Sequence, residues 1–551
     1  MSALTRRSAL ALGGAVALVP VIGRADEPGL LIAGGPIYTG RGDARVEAVA
    51  MRGGRIAFVG ALDEARRAAP GARKIDLAGA AAYPGFVDCH AHLREIGLRE
   101  MTLNLEGSAS VADLQARLRA AAAAQPAGPI FGRGWIETHW PEQRFPTRQD
   151  LDAVVADRPV YLMRADGHAG VANSAALAMA GVTASTRPPA GGDIPHDARG
   201  EPTGMLIDNA KALVEDKLPK PDRAMIREAM VRADRLYRSR GWTGVHSMSV
   251  SQDDMDALRA LAAAGGDWGL RVDNYVDIDF AEEVLRTGPS VDASGKIRLR
   301  GIKLYADGAL GSRGAALLQP YSDKPGWRGL LLTPPEKVVE WMAKAKAAGA
   351  QVAIHAIGDR GNRIALDSMT KVLGAARTDR RWRVEHAQTL SPADLPRFAA
   401  MGVTASMQPS HAIGDLYFAP ARLGLERLKG AYAWRSLIKS GAVVCGGTDA
   451  PVEKGDPLIE FYAAIYRHAL NGFAGPEWGL DQTVSRTQAL GMFTTSAAWA
   501  IGREREMGVL TVGRRADLTA FSRDLMTAAP ADIPGAKATL TVIAGAVVHG
   551  G

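Results

Sequence analysis

The 551-residue chain is predicted to fold as a (β/α)8 TIM barrel with a large insertion after strand 1, plus a small β-sandwich built from both chain ends. Three observations lead there. Short apolar segments alternate with helical ones through the middle of the chain, the pattern of parallel βα units. Short strands and Gly-rich turns crowd both ends. About 150 residues separate the first two apolar segments of the middle, far more than one helix and its loops require.

Composition sets the outer limits. With 47% hydrophobic and 23% charged residues, the chain is neither disordered nor fibrous. Its only cysteines, Cys89 and Cys445, rule out a disulfide framework and leave zinc ribbons and iron–sulfur clusters without ligands. Any metal must therefore be held by His, carboxylate or Lys. The formal charge of +7 is scattered rather than gathered in a Lys/Arg block, which favours solubility and argues against nucleic acid as a partner.

Residues 1–25 read as a twin-arginine export signal: Thr5-Arg6-Arg7-Ser8 precedes an uncharged run to Gly23, and Gly23-Arg24-Ala25 resembles a cleavage site. The run is too short for a stable membrane anchor and contains Gly13, Gly14 and Pro20. Its removal takes away Arg6, Arg7 and Arg24 and no acid, leaving about +4 on the mature chain. A periplasmic or secreted protein is expected, with the twin-arginine machinery as one partner. Residues 26–83 follow as the first part of the sandwich, with Leu30-Leu31-Ile32 and the Gly53-Gly54 turn as its signals.

The barrel is assigned to residues 84–500. Its strand candidates are 81–92, 244–249, 270–277, 297–306, 351–355, 381–386, 403–408 and 442–448, with the insertion at about 94–240 acting as a lid. Ser391 with Asp394 three residues on suggests a capping box for the helix that Met401-Gly402 closes, and another helix runs from Pro335 to Gly349. Residues 501–551 complete the sandwich. The run Arg503-Glu504-Arg505-Glu506 reads as a solvated turn.

In a barrel of this kind, active-site residues sit at the C-terminal ends of the strands. His90-Ala91-His92 places two imidazoles on one face of a strand, where both can reach one ion. His355, His386 and Asp449 each terminate a further apolar strand. Lys303, inside Ile302-Lys303-Leu304-Tyr305, would be a costly buried ammonium. It is either carboxylated by carbon dioxide to a carbamate that bridges two cations, or ion-paired with Asp307. His168 is a candidate substrate-binding residue, against a loop histidine holding a turn. Trp135 lines a substrate pocket or sits in a core, and His246 reads as packing or support. Cys89 and Cys445 read as small core residues.

Pro84-Gly85-Phe86-Val87-Asp88-Cys89-His90-Ala91-His92, Lys303, His355, His386 and Thr448-Asp449-Ala450-Pro451 resemble the amidohydrolase superfamily. Gly132-Arg133-Gly134-Trp135, Asp166-Gly167-His168-Ala169 and Asp307-Gly308-Ala309-Leu310-Gly311-Ser312-Arg313 narrow this to a resemblance to amidohydrolase family 3, the branch with N-substituted formamide deformylases. It spans essentially the whole mature chain. The resemblance implies two divalent ions, with zinc the expected metal: His90, His92 and Asp449 on the more buried ion, His355 and His386 on the more exposed one, carboxylated Lys303 bridging. It further implies a metal-bridging hydroxide that attacks the substrate, with Asp449 as the catalytic proton carrier, and hydrogen bonding of substrate by His168. The expected function is metal-dependent hydrolysis of a C–N amide-type bond in a small molecule, an N-substituted formamide or N-acyl amine. Ile136-Glu137-Thr138-His139 departs from the family pattern after Trp135. Two alternatives stand beside this one: a one-metal deaminase of the same superfamily, which has no need of Lys303, and a catalytically inactive metal- or ligand-binding barrel. A homo-oligomer is compatible with the sequence.

Overall fold

Eight apolar segments, each buried along nearly its whole length, pair in parallel as strands covered on both faces must. In the computed structural model, which describes residues 29–475 and 478–551, they are β1 (Phe86–Ala91), β2 (Trp242–Val250), β3 (Arg271–Asp277), β4 (Ile297–Tyr305), β5 (Gln351–Ala356), β6 (Arg383–His386), β7 (Thr404–Met407) and β8 (Val444–Gly446). Each pairs with its sequence neighbour, in unbroken order from β1 to β8. The barrel closes past the end of β8, where Ala450 bridges to Ala91. There Asp449 N donates to His90 O at 2.6 Å and His92 N to Ala450 O at 2.8 Å. The expected TIM barrel is thus present; the export-signal residues lie outside the described part.

The first expected strand, 81–92, is two strands. Ala81–Pro84 pairs antiparallel with Leu518–Phe521 in the layer made from the chain ends, and β1 begins after Gly85. A side chain at 85 would meet Thr243 Oγ1 at 2.5 Å, so only glycine passes at this junction. The terminal layer is one eight-stranded hydrogen-bonded sheet. It folds around a core that includes Ile32, Val49, Ile75, Leu518 and Val542, while Ala65 of the helix Leu62–Ala68 packs with Leu31 and Ala48 in a separate cluster. Both ends of the chain contribute to the first core.

The run at 503–506 is a turn as expected, but it is only partly solvated. Arg503 is buried and pairs with Glu506 at 3.1 Å, and it lies 3.7 Å from Asp273 of β3. Glu504 pairs with Arg381 at 2.7 Å. These ion pairs tie the region after the barrel to its strands. The expected Ser391 cap is also absent: the helix Leu395–Met401 starts after Asp394. The Asp394 carboxylate is engaged instead by Arg363 Nε at 2.7 Å and Arg397 Nη1 at 3.0 Å. Gly402 ends that helix in the left-handed region, as the sequence suggests.

Most of the insertion is a separate six-stranded mixed sheet, with Ile130–Trp135, Val160–Arg164, Ala169–Ala172 and Met205–Asp208 at its centre. The helices at its two ends, Leu93–Arg99 and Arg223–Arg240, pack against each other as part of the barrel's outer layer. The longer one is capped by Asp222, which accepts from Met225 N at 2.8 Å, and ends at Gly241. It buries Ile226, Ala229, Met230, Ala233 and Tyr237 along one stripe. The helices cross so closely that a Cβ at Gly97 would lie 1.9 Å from Ala229 O. Gly97→Ala is therefore expected to destabilise the fold by about 1–3 kcal/mol through overpacking, read as a lowered melting temperature; an unchanged melt would show that the crossing yields.

Candidate metal centre

The barrel seam sets the first candidate ligands. Asp88, fully buried on β1, accepts from Thr448 N (2.9 Å), Thr448 Oγ1 (2.6 Å), Tyr237 Oη (3.0 Å) and His90 N (3.1 Å). It thereby fixes the end of β8 against the end of β1. Asp449 follows Thr448 with φ +56°, and its carboxylate is brought into the barrel mouth.

That carboxylate faces histidines with both oxygens. Oδ1 lies 3.1 Å from His92 Nε2 and 3.4 Å from His90 Nε2; Oδ2 lies 3.7 Å from His411 Nε2 and 4.0 Å from His386 Nδ1. Two three-residue groups result, His90/His92/Asp449 and His386/His411/Asp449, each with its donor atoms within 4.8 Å of one another. Burial would raise the Asp449 carboxyl, but the imidazoles around it hold it well below the usual carboxylate range.

His90 and His386 each have a neighbour that orients the ring. His90 Nδ1 is 2.6 Å from Glu385 Oε2. Glu385 is itself held by Arg383, whose Nε donates to Oε1 at 2.5 Å. Burial alone would raise Glu385; Arg383 and His90 outweigh it and keep it ionised. Arg383 also donates to Cys89 O (2.5 Å) and Ser406 Oγ (2.6 Å), and its Nη1 lies 2.9 Å from His246 Nδ1. His386 Nδ1 is 2.8 Å from Gln408 Oε1. His355 stands beside His386, ring centroids 4.6 Å apart. Burial pushes His90 down to about 4 and His355 and His386 well below the ordinary value, a direction that favours the neutral imidazole, the form that binds metal.

These residues fit a divalent cation. His90 Nε2 is buried, has no hydrogen-bond partner and points at Asp449, and imidazole with carboxylate is a donor set for zinc and its neighbours. Lys303 is 1% exposed, with Nζ 5.2 Å from the Tyr305 ring centre; burial pushes its amine down to about 8. Asp307 does not pair with it. That carboxylate instead accepts from Ala316 N, Gly358 N (both 2.8 Å) and Ile357 N (3.0 Å), fixing the chain just past His355.

The structure brings together His90, His92, Lys303, His355, His386 and Asp449 around one cavity of about 560 Å³. His168 joins them from the insertion, its ring 5.0 Å from that of His355. Its Nδ1 is 2.6 Å from Asp208 Oδ1; burial disfavours the imidazolium, but Asp208 and Asp166 outweigh that and raise its pKa. Trp135 is not a pocket residue. Fully buried in the insertion's core with Trp140, it donates its indole N–H to Leu162 O at 2.8 Å. Glu137, in the divergent stretch, pairs with Arg164 at 2.8 Å. Cys89 and Cys445 pack with Ala497, Ala498 and Met507. A second cavity, about 410 Å³, shares His168, His355, His386 and Asp449 and continues past His411 to Ile413, Phe418 and Ile459.

Sequence reading missed His411, Glu385, Gln408 and Asp208. The signal for His411 was available: Gln408-Pro409-Ser410-His411 follows β7 directly, at the barrel end where the other ligands lie.

A parallel barrel with this histidine and carboxylate cluster at its mouth has the architecture of a metal-dependent hydrolase. The chain belongs to the amidohydrolase family, whose sequence model matches residues 73–549. It is 34% identical to YtcJ of Bacillus subtilis strain 168 over 532 residues, 94% of this chain and 98% of that one. It is 30% identical to N-substituted formamide deformylase of Arthrobacter pascens over 525 residues, covering 91% and 95% of the two chains. The crystal structure of a metal-dependent hydrolase from Pyrococcus horikoshii OT3 superposes with a TM-score of 0.74 at 28% identity, over 91% of this chain and 99% of that one.

Because Glu385 orients His90, Glu385→Gln is expected to weaken metal binding about 10–100-fold, measured as metal retained on dialysis against graded chelator. Retention equal to the wild type would show that the contact does not orient the ligand.

Proposed function

We propose that the protein hydrolyses a C–N amide-type bond of a small molecule, an N-substituted formamide or N-acyl amine, with two divalent cations, zinc the expected metal. The observation that carries this reading is Asp449, with one oxygen facing His90 and His92 and the other facing His386 and His411. Lys303 supports it. A buried amine pushed down to about 8 is partly neutral near physiological pH, the form that adds carbon dioxide, and the resulting carbamate would supply two anionic oxygens among the histidines. His90, His92 and Asp449 would hold one cation; His355, His386 and the Lys303 carbamate the other, with His411 beside Asp449 Oδ2. When bound, such ions lower the pKa of an attacking water and polarise the scissile carbonyl.

The chain's own groups do the rest. The Asp449 carboxylate takes the proton that the attacking water sheds as its oxygen bonds to the carbonyl carbon, and delivers it to the nitrogen as the C–N bond breaks. His168, steadied through Nδ1 by Asp208, presents its other ring nitrogen beside His355 to the substrate. A one-metal deaminase would leave a buried Lys303 without a role.

Export by the twin-arginine route, with a periplasmic site of action, is proposed from Thr5-Arg6-Arg7-Ser8. Among the described residues no helix is long and apolar enough to cross a membrane. Replacing both Arg6 and Arg7 by Lys should leave the protein in the cytoplasmic fraction; unchanged periplasmic recovery would end that proposal.

Activity is tested on a panel of N-formyl and N-acyl amines. Chelation should abolish hydrolysis and zinc restore it. Asp449→Asn should lower kcat about 100-fold or more; hydrolysis undiminished in a metal-loaded Asp449→Asn protein would remove the proton-carrying role.

A further inference from the structure

Six carboxylates border the cavity that holds the histidines and Lys303, and each is engaged. Glu95 and Asp254 pair with Arg94 at 3.0 and 3.1 Å, and Glu215 with Lys211 at 3.8 Å. Asp166 pairs with Arg164 at 2.5 Å, Asp208 with His168 at 2.6 Å and Asp449 with His92 at 3.1 Å. Of the cations on the same wall, Arg94 and Lys211 are consumed by these pairs, and Lys303 stands among the metal-binding residues.

Arg133 is left over. It is 7% exposed and lines this cavity, yet among the described residues it forms no ion pair. Its Nη2 donates to Ala165 O at 3.3 Å, and its Nε is buried without an acceptor. A guanidinium has five N–H donors in a planar fork, and leaving it buried with no carboxylate in direct contact is costly. Burial correspondingly pushes its pKa below the ordinary value, with the carboxylates nearby not making up the difference.

The fold holds the group in place. Arg133 sits between Gly132 and Gly134 on the strand Ile130–Trp135. Gly134 has φ +113°, and a Cβ there would lie 2.8 Å from Glu106 N. The turn carrying His168 closes over the guanidinium at Gly167, φ +71°, where a Cβ would be 3.1 Å from Arg133 Nη2. One turn thus positions a substrate-facing histidine and confines an unpaired cation.

We propose that Arg133 binds a carboxylate of the substrate, so that the amide hydrolysed here is an anionic one with its carboxylate close to the scissile bond. This rests on the amide-hydrolase reading above. The planar fork matches a carboxylate through two parallel hydrogen bonds. The carboxylate belongs either to the leaving amine, as in an N-acyl amino acid, or to the acyl group.

The test uses zinc-loaded wild type, Arg133→Gln and Arg133→Lys, with zinc content and thermal melts confirming folded protein. Substrates are N-formylphenylalanine, the neutral N-formylphenethylamine and N-succinylphenethylamine. Wild type should favour one carboxylate-bearing amide over the neutral one by about tenfold or more in kcat/KM. Which one it favours assigns the carboxylate to the amine or acyl side. In Arg133→Gln that ratio should collapse toward one, and Arg133→Lys, a point charge without the fork, should recover only part of it. No preference in wild type, or an undiminished preference in Arg133→Gln, overturns the proposal. If no amide is cleaved, the amide-hydrolase reading falls by itself. Calorimetric binding of 3-phenylpropanoate then decides Arg133: about tenfold weaker binding in Arg133→Gln supports the role, and equal binding refutes it.

Discussion

Closure of the barrel between its first and last strands is the constraint on which the rest of the site depends. Neither β1 nor β8 carries a complete ligand set. Asp88 joins them by accepting from the backbone and hydroxyl of Thr448 and from His90 N, and Asp449 N then bonds to His90 O. Gly447 makes the approach possible, since a Cβ there would stand 2.5 Å from His90 N. Because ligand residues and seam residues are chain neighbours, the hydrogen bonds that close the barrel also set the distance from Asp449 to His90 and His92.

A second layer of charge beneath the seam keeps His90 aimed. Arg383 and Glu385 project from β6 into the barrel interior, where an isolated charge would be prohibitive. They satisfy each other, and Glu385 spends its second oxygen on His90 while Arg383 reaches across to Cys89 O on β1. The pair links opposite parts of the barrel floor. Above it, the insertion delivers His168 and Arg133 from a sheet with its own core, so the barrel supplies the candidate metal ligands and the insertion supplies further groups that line the same cavity.

Residues that end apolar strands were legible in the sequence, because a polar group there interrupts a buried run and barrel geometry sends it to the mouth. His90, His92, His355, His386 and Asp449 all follow that rule, and Lys303 announced itself by lying inside such a run. His411 did not, because it sits on the helix Pro409–Asp415 after β7 and not on a strand. The partners that orient ligands were equally hidden: which way Glu385 or Asp208 points depends on packing between segments far apart in sequence. Trp135 stayed between two readings, and the burial within the run at 503–506 went unseen, for a related reason. Local sequence shows an indole or an alternating charge pattern, but only the tertiary contacts show that Leu162 O takes the indole N–H and that Asp273 and Arg381 lie beside the charges.

The proposed mechanism stands or falls on Asp449 lying between two cations, bound to the one that His90 and His92 hold. Crystals grown with zinc and bicarbonate, measured on both sides of the zinc absorption edge, test it most directly. Two anomalous peaks are expected, one in contact with His90, His92 and an Asp449 oxygen, the other among His355, His386 and Lys303 on the far side of that carboxylate. A single peak, or a pair of which neither contacts Asp449, would contradict it.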